Sequence, residues 1–168
     1  MRETREALLN EEPICVVDDR MLDRLVAGVA ASPKGRFRLC LHHSPDDLVQ
    51  EMVIACRAGS YNRPHRHPDA ATSVAILRGR LRILIFDDQG AVKNSLLLDA
   101  DAGRTGIVRL SPRVWHMEIP ESEIIVIHEV NTGPFRPQSS NEWAPWSPPE
   151  DDHDAIAGYL QKLSTLSV

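Results

Sequence analysis

The sequence predicts a mainly β protein, an antiparallel sandwich or barrel with one helix before it and one after it. Three observations lead there. From Arg36 to about Val130 apolar residues alternate with period two in short runs, spaced at intervals of roughly 10 residues. Turn residues such as Arg78-Gly79-Arg80 and Asp87-Asp88-Gln89-Gly90 separate those runs. On either side the period changes to that of an amphipathic helix.

The first element is a short apolar run, Ile14 to Val17, which reads as a strand. Asp18 and Asp19 then cap a helix from about Met21 to Ala31, with Leu22, Leu25, Val26 and Val29 on one face. Ser32-Pro33-Lys34-Gly35 ends it. The strand candidates that follow are Phe37–Leu41, Leu48–Ala55, Thr72–Leu77, Leu81–Phe86, Val92–Leu98, Gly106–Leu110 and Glu123–Val130. In the run from Leu81 to Phe86, Leu81, Ile83 and Ile85 share one face and Leu84 and Phe86 the other. A strand apolar on both sides is sandwiched, between two sheets or at an oligomer interface. The prolines of Trp143-Ala-Pro-Trp146-Ser-Pro-Pro rule out regular structure, and the two indoles are expected to clamp onto the barrel. Asp151 and Asp152 start a closing helix carrying Ile156, Tyr159, Leu160 and Leu163. This divides the chain into an N-terminal extension (1–35), a β-barrel (36–135) and a Pro/Trp-rich segment with its helix (136–168).

Composition narrows the function classes. The net charge of −5, with no Lys/Arg cluster to offset it, argues against a nucleic-acid surface. No apolar run approaches the length of about 20 residues that a spanning helix requires. The start of the chain lacks an apolar signal region, so a cytoplasmic location is expected. Cys15, Cys40 and Cys56 lie in apolar stretches without CxxC spacing and read as buried, reduced thiols. Gly103-Arg-Thr-Gly106 is too short to cradle a phosphate.

Chemistry concentrates in Gly59-Ser-Tyr-Asn-Arg-Pro-His65-Arg-His67. Histidines one residue apart on a strand face the same side, with Cα atoms roughly 7 Å apart, close enough to converge on one ion. The best third ligand is His116, in a turn that leads into the next strand. The same parity puts Arg63 on the histidines' side, facing either an anionic ligand or the solvent at the barrel mouth. Tyr61 either stacks on a sugar ring or covers the barrel end, Trp115 belongs to the core, His42 and His43 read as loop residues or one of them as a pocket residue, and His153 is on the surface. His128, in an apolar strand, is either a fourth ligand or a hydrogen-bonded core residue.

These residues carry a resemblance. Gly59-x5-His65-x-His67-x4-Thr72-x6-Gly79 is similar to the first cupin motif, in which Glu stands where this chain has Thr72. Ser111-x-Arg113-x2-His116 resembles the second, with Ser111 at the usual Pro and Arg113 at the usual Gly. Four further segments look like the WbuC-type cupin metalloproteins often encoded in O-antigen and surface-polysaccharide clusters. They are Asp46-Asp-Leu-Val-Gln50, Tyr61-x-Arg-Pro-His-Arg-His-Pro68, Trp115-His116 and Glu142-Trp-Ala-Pro-Trp146-Ser-Pro. The resemblance runs from about Arg36 onward and implies a cupin-type double-stranded β-helix, a jelly-roll barrel with a metal inside.

The expected site is therefore His65, His67 and His116 around a divalent transition metal, Zn, Fe, Ni or Mn. Glu118, Glu129 and His128 are the nearby substitutes for the carboxylate missing at Thr72. The expected ligand is a small polar or anionic metabolite, of sugar or nucleotide-sugar type by resemblance. Arg63 would orient it, and His128 or Glu129 would move protons. Isomerisation, hydrolysis and oxidation stay open, as does a binding module without turnover. The expected partners are a small molecule and a second copy, a homodimer covering Leu84 and Phe86, with no nucleic acid and no membrane.

Overall fold

The computed structural model describes residues 1–100 and 106–164. Most of the Gly103–Gly106 turn, and the chain from 165 to 168, lie outside the described residues. The chain opens with two short strands, Arg2–Glu3 (β1) and Ala7–Leu9 (β2). The run from Ile14 to Val17, expected as a strand, is irregular instead. The reason lies in pairing and burial. Ala7–Leu9 run parallel to Arg38–Cys40 and bury Leu8 completely, whereas Ile14 and Val16 face solvent.

The first helix, Asp19–Val29 (α1), begins as its capping residue dictates. Asp18 is the N-cap, and its Oδ1 accepts from the Met21 N–H at 3.0 Å. Leu22, Leu25 and Val29 are buried at helical spacing. The strands Arg36–Cys40 (β3), Val49–Arg57 (β4), His65–Arg66 (β5) and Thr72–Arg78 (β6) follow. After them come Arg80–Phe86 (β7), Val92–Asp99 (β8), Ile107–Leu110 (β9), Trp115–Pro120 (β10), Ile124–Thr132 (β11) and Glu142–Trp143 (β12). The helix His153–Ser164 (α2) closes the described chain. Gly79, between β6 and β7, has φ +75°, and a Cβ there would sit 2.7 Å from the Ile124 carbonyl oxygen, so the turn needs glycine.

The strands form two sheets, ordered β1-β2-β3-β4-β11-β6-β9 and β12-β5-β10-β7-β8. Their facing sides close on Val74, Ile76, Leu81, Ile83, Leu98, Ile125 and Ile127. This is a mainly β fold with two helices, and the double-sided strand is β7. Its Leu81 and Ile83 fill the space between the sheets, while Leu84 and Phe86 point outward.

Each outer face is covered from within the chain. On the larger sheet α1 sets Leu22, Leu25 and Val29 against Phe37, Leu39, Val53, Ala55 and Val126. Gly28 lies so close that an added Cβ would overlap the Phe37 ring. On the smaller sheet Leu84, Phe86, Trp115 and Met117 are covered by Ala144, Trp146, Tyr159, Leu160 and Leu163. Burying side chains of this size contributes roughly 1.5–3 kcal/mol each. The face expected to meet a second copy through Leu84 and Phe86 is thus taken up by the segment after the barrel. No helix among the described residues is long and apolar enough to cross a membrane.

Candidate metal centre

His65 and His116 sit directly opposite each other on neighbouring antiparallel strands β5 and β10. Their ring centroids are 4.4 Å apart, and His67, just beyond β5, places its ring 5.0 Å from His65 and 5.4 Å from His116. Residues paired across a sheet point to the same side. His116 pairs with Ile85 and Glu118 with Ile83, so the three imidazoles lie on the inner face, between the sheets.

Each ring is fixed by a backbone carbonyl. His65 Nδ1 meets Arg63 O at 2.9 Å, His116 Nδ1 meets Val114 O at 2.9 Å, and His67 Nδ1 meets Ser140 O at 3.1 Å. A carbonyl only accepts, so every Nδ1 carries the proton and every Nε2 keeps its lone pair for an ion. One nitrogen from each ring lies within 4.8 Å of the others. Ligands on a tetrahedral ion, bonded at about 2.0–2.1 Å, stand roughly 3.4 Å apart, so a modest side-chain adjustment completes coordination. Burial holds His65 well below its usual pKa, reinforced by the neighbouring His116 and His67. Burial likewise lowers His116 to about 4. Both rings are therefore neutral at physiological pH, as ligands must be.

The position that carries a carboxylate in the cupin motif is a threonine on the inner face, two residues before Val74. Thr72 is 2% exposed, and its hydroxyl donates to Asn131 Oδ1 at 2.5 Å. Asn131 Nδ2 in turn donates to Glu129 Oε1 at 2.6 Å. Glu129 pairs with Val74, whose side chain lies between the sheets, so Glu129 is an inner-face residue. Glu118, two residues beyond His116 on the facing side of the smaller sheet, accepts from Asn62 Nδ2 at 3.2 Å. Burial, then the charge of Glu129, push its carboxyl up to about 8. Burial also raises the Cys56 thiol to about 12.

The chain does not gather all the expected residues here. His128 pairs with Val53, which packs under α1, so its ring is on the opposite face of the sheet. There its Nε2 lies 2.7 Å from Glu51 Oε1. Arg63 is half-buried and engaged with the segment after the barrel. Its guanidinium donates to Ser147 Oγ at 3.1 Å, Ala144 O at 3.0 Å and Ser147 O at 3.4 Å. The Tyr61 hydroxyl donates to Pro148 O at 2.9 Å, and the Ala144 N–H to Pro64 O at 2.9 Å. The segment Ser140–Pro148 is thus strapped across the ligand-bearing stretch, as expected of the Trp143–Trp146 run, although its partners there are not encoded in the sequence pattern. Strand parity says nothing about a two-residue strand 76 positions away.

Residues 17–98, just under half of the chain, match the family model of a domain of unknown function, DUF6016. No curated protein matches the sequence significantly. Solved structures are similar in fold. A recombinant oxalate oxidase in complex with glycolate has a TM-score of 0.52 at 15% identity, over 81% of this chain and 68% of that one. A protein from Shewanella oneidensis has 0.51 at 13%, over 66% and 74% respectively. A cupin superfamily protein from Desulfitobacterium hafniense has 0.46 at 14%, over 58% and 76%. Longer neighbours are spanned over only 27% and 30% of their length. The chain thus resembles the oxalate oxidase and the Shewanella protein in fold, and its inner face carries a three-histidine cluster suited to a transition metal.

Proposed function

We propose that the protein binds a divalent transition metal through Nε2 of His65, His67 and His116 and presents it to a small polar or anionic metabolite. The observation that carries this is the common tautomer: three Nδ1 atoms held by carbonyls, three free nitrogens turned towards one another. When bound, the ion supplies Lewis acidity to an oxygen donor. The sugar or nucleotide-sugar character of the ligand is supported by the motif resemblance alone. The chain's own contribution is two carboxyls, Glu118 and Glu129, on the facing inner sides of the two sheets. These are the groups placed to accept or return a proton, in preference to His128 on the far side of the sheet.

Metal analysis of purified protein beside the His65→Ala/His67→Ala double variant tests the reading. Near-stoichiometric metal in the parent and loss in the variant is the expected result, and equal content in both would remove it. A second reading, a metal-assisted binding module without turnover, is favoured by one feature. Thr72 brings no carboxylate to the ion and spends its hydroxyl on Asn131.

A further inference from the structure

We infer that Trp143 is a ring-stacking wall of this site, taking the face of a cyclic ligand whose oxygen atoms reach the histidine centre. The inference rests on the metal-binding reading above. Trp143 is opposite His65 across β12 and β5, as His65 is opposite His116 across β5 and β10. Trp143, His65 and His116 therefore form one cross-strand row on one side of the sheet. The indole centroid is 5.5 Å from that of His65, and the residue is 42% exposed.

The other two tryptophans are packed into the fold. Trp115 is 5% exposed, donates from Nε1 to Asp88 at 2.9 Å and carries the Arg66 guanidinium 4.3 Å above its ring. Trp146 packs on Phe86 and Trp115, with centroids 5.0 and 6.0 Å away. Trp143 alone of the three leaves much of its ring open, although its backbone is held firmly. Glu142 accepts two hydrogen bonds from Arg66, at 2.8 and 2.7 Å, and Ala144 is fully buried. A rigid, open aromatic ring beside a polar centre is preorganised for a ligand with an apolar face and a polar edge. Asn62 and Glu118, on the inner wall, offer hydrogen bonds to that edge. A saturated sugar-type ring and an aromatic ring with oxygen substituents share this chemistry.

The test uses the zinc-loaded full chain and three oxygen-donor probes: glucuronate (a saturated ring), salicylate (an aromatic ring) and glycolate (acyclic). Zinc content is measured first. Failure of the parent to take up zinc defeats the metal reading itself, whereas uptake without ring selectivity defeats only the role of Trp143. In calorimetric titrations Trp143→Ala should weaken at least one ring probe by roughly 3- to 10-fold and change glycolate by less than about twofold, with Trp143→Phe restoring most of the loss. Which ring probe responds identifies the ring type. Equal losses for ring and acyclic probes, no loss for either, or loss of zinc from Trp143→Ala would each overturn the inference.

Discussion

Thr72 donates its hydroxyl hydrogen to Asn131 Oδ1, directly across β6 and β11, so the side chain at the carboxylate position of the motif braces two strands. Thr72→Val should therefore leave zinc affinity unchanged in a chelator competition while lowering stability by about 1 kcal/mol, the usual worth of such a bond. Thr72→Glu should tighten zinc at least roughly tenfold by restoring an anionic ligand. Weaker zinc binding in the Val variant would show that the hydroxyl itself serves the ion.

Acid should destabilise the metal-free protein through its buried imidazoles. His116 titrates near 4 when folded and near 6.5 when unfolded, so between those values the unfolded chain binds more protons. Stability is thus complete above about pH 6.5 and is lost as the pH falls towards 4. His116 alone accounts for about 3 kcal/mol. Urea denaturation of chelator-treated protein at pH 7 and pH 4.5 measures the difference, and a flat profile would contradict the buried, neutral ring.

Arg113 has φ +68° where the cupin motif carries glycine, and its N–H donates to His67 O at 2.8 Å. The left-handed backbone is kept although the residue has a Cβ. Arg113→Gly should relieve that strain and stabilise the protein by about 0.5–1 kcal/mol, after allowing for the freer unfolded chain. A shift of the urea midpoint to lower concentration would refute it.

Arg63 holds the strap through Ser147 and Ala144. Removing its three hydrogen bonds in Arg63→Ala should cost roughly 1.5–3 kcal/mol and expose the stretch from Ser140 to Pro148 to protease, with a change in Trp146 emission. Arg63→Lys should rescue little, because an ammonium cannot span Ser147 and Ala144 together. An intact strap with impaired ligand binding would return Arg63 to the substrate-orienting role.

Cys56, raised to about 12 by burial, should resist iodoacetamide at pH 8 in the folded protein and react once urea unfolds it. Rapid labelling of Cys56 under native conditions would contradict its enclosed position.

What could be read from residues alone followed the strength of the local signal. The alternation in Leu81–Phe86 and the spacing of Leu22, Leu25 and Val29 are strong periodic patterns, and the chain folds accordingly. His65-x-His67 and His116 converge because parity and a following strand fixed their side of the sheet. His128 defeated the same logic: its apolar neighbours suggested an interior, but α1 makes the outer side of β11 apolar as well. Ala7–Leu9 became a strand only because β3 offered an edge to pair with. The strap over β5 depends on contacts more than 70 positions apart, such as His67 with Ser140, which no periodicity encodes.

That last contact sets an order of events during biosynthesis. The residues carrying all three imidazoles are synthesised before Ser140, whose carbonyl aligns His67, and before Trp143, whose indole flanks His65. A chain truncated after β11 lacks the carbonyl that fixes the His67 ring, so complete assembly of the centre needs the residues that follow.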